Sequence, residues 1–224
     1  MIYLSYLPLN ARDADVQRDL RDGYQMHKTI ARAFGDSDDA QREARVLFRT
    51  DENAGRPIVL VQSKTAPDWS TLSSEYCLTS PQVKHIEPVL TESSLWSFRL
   101  RANPTKSDAA QRGEKRDRGK RVGIYRESER IEWLHRKAGA NGFVVLEARV
   151  QDEGRAYPQN RGDEKEVSLR QIQSRFKAGK GSFSAARFEG VLQVADAAEF
   201  MRALENGIGS AKAFGFGLLS LKRA

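Results

Sequence analysis

The sequence predicts an α+β chain of two β-α-β-β-α-β units in tandem, on three observations. Its 224 residues suit two small domains or one large one. Strand-like and helix-like apolar periods follow one another in the same order twice. The charge also changes sign between the halves. Residues 1–94 carry 11 Lys/Arg against 14 Asp/Glu, or −3, and residues 95–224 carry 26 against 16, or +10, for a net +7.

In the first unit, residues 1–9 alternate and are rich in Leu and Tyr, which predicts a strand. Val16, Leu20, Tyr24, His27, Ala31 and Phe34 then recur at intervals of four and three, which predicts one helix over 13–35 ended by Gly35. Strands follow at 46–49 and 57–63 across a turn at 51–55, then a short helix at 69–76 and a strand at 84–90.

The second unit repeats the order. Phe98 and Leu100 alternate with Arg99 and Arg101 in a strand over 97–102, and Ile131, Trp133 and Leu134 mark a helix over 127–138. Strands at 143–150 and 188–194, a helix at 197–204 and a strand at 218–221 complete it. Two such units make tandem ferredoxin-like (RRM-like) domains, with expected limits 1–92 and 95–224.

Composition excludes several classes. Apolar residues are 39% and charged residues 30%, a globular profile. The longest run without Asp, Glu, Lys or Arg is residues 1–11, too short to span a bilayer and without the basic start of a secretory signal. One cysteine, Cys77, excludes an internal disulfide framework and a thiolate zinc cluster and suits a reducing cytoplasm, the expected location. No P-loop and no G-x-S-x-G occurs. His27, His85 and His135 show no metal-ligand spacing, so neither a metal nor another cofactor is expected.

The basic excess concentrates in two segments. Residues 106–121 hold Lys106, Arg112, Lys115, Arg116, Arg118, Lys120 and Arg121, with two glycines and almost nothing apolar, and read as a mobile loop. Residues 155–187 carry eight basic and three acidic residues, Arg155 and Arg161 among them. Neither has regularly spaced aromatics, so phosphate contact or duplex shape reading fits better than base stacking. A solvated basic surface accounts for the charge equally well.

Tyr24 and His27 lie about 60° apart on the predicted helix. As members of the apolar stripe they read as core residues with satisfied polar tips. If the stripe faces a cleft, the pair becomes a reactive one, flanked by Arg21, Lys28 and Arg32, with Asp15, Asp19 and Asp22 on the far side. RNA cleavage needs little more. A 2′-hydroxyl attacks its own phosphate, a histidine moves protons, a tyrosine positions a group, and cations stabilise the phosphorane. The stretch from Gly207 through Gly209 and Gly215 to Gly217 follows a helix and precedes a strand, so it is not a dinucleotide fingerprint. It reads either as a concavity admitting RNA or another domain, with Lys212 as a phosphate contact, or as a helix cap and tight turn.

Four motifs together resemble the CasE family, the CRISPR precursor-RNA endoribonucleases of type I-E Cascade. They are Tyr24-Gln25-Met26-His27, the run from Phe98-Arg99-Leu100 to Asn103-Pro104, Phe188-Glu189-Gly190-Val191-Leu192, and the stretch from Gly207 to Leu221. The resemblance implies metal-independent cutting at the base of a repeat hairpin, leaving a 5′-hydroxyl and a 2′,3′-cyclic or 3′ phosphate. It implies His27 and Tyr24 as catalytic residues, and RNA reading by Arg155, Arg161 and the 106–121 loop. The implied partners are the CRISPR repeat RNA hairpin, as precursor and as mature crRNA, and the other Cascade subunits, with no membrane. A non-catalytic RNA-hairpin-binding assembly subunit is the alternative, and a DNA-binding regulator lacks any helix-turn-helix pattern.

Overall fold

The computed structural model describes residues 1–107, 121–156 and 183–224. The first unit runs β1 (Ile2–Pro8), α1 (Ala14–Arg21), α2 (Gly23–Ala31), a 3₁₀ turn (Arg32–Phe34), α3 (Asp38–Ala44), β2 (Leu47–Asn53), β3 (Arg56–Ser63), a second 3₁₀ turn (Trp69–Thr71) and β4 (Gln82–Ile86). Its antiparallel sheet has the order β2-β3-β1-β4. Ala54 and Gly55, both left-handed, form the two-residue turn that matches the twist of the β2–β3 hairpin.

The second unit runs β5 (Leu95–Ala102), β6 (Thr105–Ser107), β7 (Arg121–Gly123), α4 (Glu127–Gly139), β8 (Phe143–Ala156), β9 (Phe183–Val194), α5 (Ala197–Asn206), a third 3₁₀ turn (Lys212–Phe214) and β10 (Leu219–Arg223). Its sheet order is β10-β5-β9-β8. With the four strands of each sheet taken in chain order, the first and third lie at the centre and the second and fourth at the edges. That is the ferredoxin-like arrangement, twice.

Each sheet has its own core. Leu7, Val16, Met26, Ile30, Phe48, Val59 and Val61 meet in the first, and Leu100, Trp133, Phe143, Phe188, Leu192 and Phe200 in the second. Ile2 starts the first sheet but buries its side chain in the second core.

Several elements depart from the sequence reading. The single helix over 13–35 is two helices. The Asp22 carboxylate accepts a hydrogen bond from the Tyr24 N–H at 2.9 Å, so it caps α2 and interrupts the chain between α1 and α2. Gly23 follows because a β-carbon there would stand 3.0 Å from the Phe214 carbonyl oxygen. The helix expected at 69–76 shrinks to one 3₁₀ turn, and Tyr76 instead donates its hydroxyl to the buried Asp19 at 2.8 Å. Residues 36–39 open α3, with the Ser37 hydroxyl accepting from Ala40 and two aspartates in the first turn. Thr105–Ser107 pairs with Arg121–Gly123 as an antiparallel ribbon, so the two ends of the predicted 106–121 loop are strand. Strands β8 and β9 run to Ala156 and back from Phe183, beyond the expected limits at 150 and 188.

Candidate active site

Break and cap at Asp22 fix which side chains α2 presents. Met26 and Ile30 enter the core, 2% and 1% exposed, while Tyr24 is 43% exposed and His27 half-buried at the rim. The predicted stripe thus divides, and its two polar-tipped members face outward from the core. Tyr24 and His27 stand with ring centroids 6.4 Å apart. Lys28 places its ammonium 4.8 Å from the Tyr24 ring centroid.

Elements on both sides support the pair. The His27 ring stacks on Phe48 of β2 at 6.3 Å, and the Tyr24 ring lies 6.0 Å from Phe214 of the third 3₁₀ turn. Nδ1 of His27 is buried and has no hydrogen-bond partner among the described residues. Burial lowers the imidazole pKa below its usual value, so the ring is neutral at neutral pH. His27 lines a cavity of about 410 Å³ shared with Ala31, Gln41, Arg45, Asn206 and Lys212, among others. The walls come from α2, α3 and the segment after α3 in the first unit, and from α5 and the glycine-rich stretch in the second. Among the described residues, no three His, Cys, Asp or Glu side chains are grouped to hold a metal ion.

The glycine-rich stretch fits both of its sequence readings. Gly207 caps α5 at φ 71, and its missing β-carbon would lie 2.8 Å from Leu47 Cδ2. It therefore ends the helix and lets the first unit come close. A β-carbon at Gly215 would meet Phe48 Cε2 at 3.1 Å, and Phe48 is the ring beneath His27.

A buried charge network also joins the units. Arg49 donates to Asp51 at 2.8 Å and to the Arg99 carbonyl at 3.3 Å. Asp51 further faces Arg187 at 3.5 Å and Arg99 at 4.0 Å. Glu153 holds Arg101 at 2.6 Å and Arg187 at 2.8 Å. Gln62 adds a hydrogen bond to the Leu204 carbonyl at 2.6 Å.

A protein-family model described as CRISPR associated protein matches residues 2–223. The chain is 34% identical over 229 residues to the CRISPR-associated endoribonuclease Cse3 of Thermus thermophilus, covering 98% of this chain and 99% of that protein. It is 33% identical over 208 residues to the CRISPR system Cascade subunit CasE of Escherichia coli, covering 90% and 92%. This chain belongs to the CasE family of CRISPR-associated proteins. The structure of T. thermophilus Cse3 bound to an RNA representing a pre-cleavage complex matches with a TM-score of 0.76 and 33% identity, over 99% of this chain and 98% of that one.

Within this CasE-family chain the predicted site residues fall into separate places. Tyr24, His27, Lys28 and Lys212 converge at the junction of the units. Arg21 ends α1 and Arg32 starts the 3₁₀ turn after α2, so the single basic helical flank expected for Arg21, Lys28 and Arg32 is split by the Asp22 cap. Lys106 pairs with Glu129 at 2.6 Å, and Arg121 donates to Thr105 Oγ1 at 2.8 Å; both sit on the β6–β7 ribbon, and neither lines the His27 cavity. Arg155 pairs with Ser184 across β8 and β9. Arg116, Arg118, Lys120 and Arg161 lie outside the described residues.

Sequence reading missed Arg45, Gln41 and Asn206 in the cavity wall, and the buried Arg49–Asp51 pair that meets the second unit. The signal for Arg45 was faint. Asp-Ser-Asp-Asp is a helix start as well as a turn, and a helix begun there ends at Arg45.

Proposed function

We propose that this chain cleaves the stem-loop of CRISPR repeat RNA at its 3′ base by attack of a 2′-hydroxyl on the adjacent phosphate, and stays on the product as a Cascade subunit. The relatives support the reading by name, one as an endoribonuclease with an RNA-bound pre-cleavage structure and one as a Cascade subunit. The observation that carries it to particular residues is the neutral His27 imidazole on the rim of a cavity walled by both units.

The chemistry follows from that placement. Neutral His27 removes the 2′ proton, and the new oxygen–phosphorus bond forms as the bond to the 5′ oxygen breaks. The proton taken by His27 is returned to the departing 5′ oxygen. A 2′,3′-cyclic phosphate and a 5′-hydroxyl result, with charge and atoms balanced. Tyr24, half-exposed beside the imidazole, orients the ribose or the phosphate. The step needs no metal, and DNA, without a 2′-hydroxyl, is not cut. Arg21, Lys28, Arg32, Lys106, Arg121, Arg155 and Lys212 hold the RNA, with Arg116, Arg118, Lys120 and Arg161 adding charge along the same two segments. The division into units at 1–92 and 95–224 puts the histidine on the first and most of the positive charge on the second. Burial pushes the Cys77 thiol up to about 11, an unreactive state that suits a cytoplasmic protein.

The test is a repeat-hairpin transcript incubated with protein in EDTA, with the product ends analysed. Wild type should cut once, and His27→Ala should lower the rate by about 10²–10⁴-fold with hairpin affinity nearly intact. Cutting by His27→Ala at the wild-type rate removes His27 from the mechanism. Loss of wild-type cutting in chelator removes metal independence. Tight binding without any cutting leaves the chain a hairpin-binding assembly subunit.

A further inference from the structure

Five charged side chains line the His27 cavity: Asp38, Arg42, Arg45, Glu205 and Lys212. Three are engaged with other groups. Arg42 lies 3.9 Å from Asp38 and 3.2 Å from Asp39, and Glu205 accepts Lys64 at 2.9 Å. Among the described residues, Arg45 and Lys212 have no ion-pair partner. The cavity thus presents two cations without an ion-pair partner, while its two carboxylates each have one, Glu205 in Lys64 and Asp38 in an Arg42 that it shares with Asp39.

Those cations come from opposite units. Arg45 ends α3 in the left-handed conformation, φ 48 and ψ 50, which residues with a β-carbon rarely adopt. Lys212 opens the third 3₁₀ turn, half-buried. The two are near enough to repel. The Lys212 ammonium is held below the usual lysine range by burial first, then by Arg45 and by Lys137 of α4. Like charges gathered where one of them, Lys212, is partly desolvated, and without an ion-pair partner, are unfavourable in the free protein and become favourable when an anion enters.

We infer that Arg45 and Lys212 form an anion subsite facing His27, which takes the scissile phosphate and neutralises the phosphorane formed from it. The identity of the anion rests on the hairpin-cleavage reading; the existence of the subsite does not. A phosphodiester carries one negative charge and its phosphorane two, so two cations match the transition state better than the ground state. The planar Arg45 guanidinium can donate two hydrogen bonds to non-bridging oxygens, while Lys212 acts as a point charge on the other side. Neither moves a proton. The subsite straddles the units, so the electrophile is held only when both are in place, and His27 reaches it from the first.

The experiment has two arms. In the first, orthophosphate is titrated into the RNA-free protein while the His27 ring resonances are followed by NMR. Wild type should show a saturable shift, and Arg45→Gln/Lys212→Gln should not. In the second, single-turnover cleavage of the repeat hairpin is measured at saturating protein. Arg45→Gln should lower the rate by about 10²-fold with hairpin Kd little changed, and Arg45→Lys should fall between. Substituting exposed Arg45 by Lys or Gln adds no new backbone strain, because each keeps a β-carbon. A phosphate response absent from wild type or surviving in the double variant overturns the subsite, as does Arg45→Gln cutting at the wild-type rate. Wild type that binds phosphate at His27 yet never cuts the hairpin keeps the subsite and removes the cleavage reading.

Discussion

Changing Asp51 to Asn takes one negative charge from a place where water cannot replace it. The side chains of Arg49 and Asp51 are only 2% and 4% exposed. Burial, the largest influence on Arg49, lowers its pKa, and Asp51 only partly restores it. Desolvation therefore outweighs the attraction, and the pair as a whole is not a strong net stabiliser. One-sided loss is different. It leaves a guanidinium buried with a neutral amide and two carbonyls, Arg99 and Leu218, as its acceptors. Removing one partner of such a pair costs about 3–5 kcal/mol. Arg187 and Arg99 do not add to that cost, since Glu153 and Glu189 still hold them. For a chain of this length the midpoint of thermal unfolding should fall by about 10 °C. Arg49→Met/Asp51→Leu, which removes both charges, should recover most of the loss. The assay is urea unfolding of the two variants beside wild type. A cost below about 1 kcal/mol for Asp51→Asn would mean that solvent reaches Arg49 and that the network does not fix the two units.

Three other outcomes follow from two observations. The acid limb of kcat/KM for hairpin cleavage should have an apparent pKa below the ordinary histidine value of about 6.5, because burial favours neutral His27 in the free protein. The same depression means that the unfolded chain binds the proton more readily. Stability is therefore complete above about pH 6.5 and is lost as pH falls through the His27 value, and His27→Gln should flatten that part of a stability–pH curve. Gly190→Ala should destabilise by about 3 kcal/mol, or leave the protein insoluble, because its β-carbon would sit 1.9 Å from the Glu147 carbonyl oxygen where β8 bulges against β9. A melting curve like that of wild type would show that β8 moves aside freely.

Much of the fold was legible because it is written in local periods. The alternation of Phe98 and Leu100 and the spacing of Ile131, Trp133 and Leu134 each report one face of one element, and those faces are where the second core lies. What failed to read was set by single polar contacts. Asp22 splits a helix through one hydrogen bond, and no periodicity registers a cap in the middle of an apolar stripe. Residues 151–156 extend β8 with polar side chains around Gly154, so the strand continues after its pattern has stopped. The catalytic candidates were legible as a pair, but not the orientation that decides between core and cleft, since that depends on where the second unit packs. Arg45 was signalled only faintly, by the helix start at Asp38 and not by any apolar period. Its place in the cavity follows from a left-handed turn and from the approach of Lys212, which is 167 residues away by the numbering.

The same dependence explains why one unit alone would not suffice. His27 belongs to the first unit by sequence, but its neighbourhood is made jointly. Phe48 lies under the ring, Gly215 of the second unit touches Phe48, and Asn206 and Lys212 close the cavity wall. Glycines at 207 and 215 allow this approach, and a side chain at either would push the units apart where the imidazole sits. Desolvation of His27, and hence its neutral form, is then a product of both units and not only of the helix that carries it. Whatever loosens the junction should raise the His27 pKa toward its ordinary value before it unfolds either core. In Asp51→Asn the imidazole titration, followed by NMR under native conditions, should therefore move upward. An unchanged titration in a variant whose stability has dropped would show that the charge network and the histidine answer to different parts of the interface.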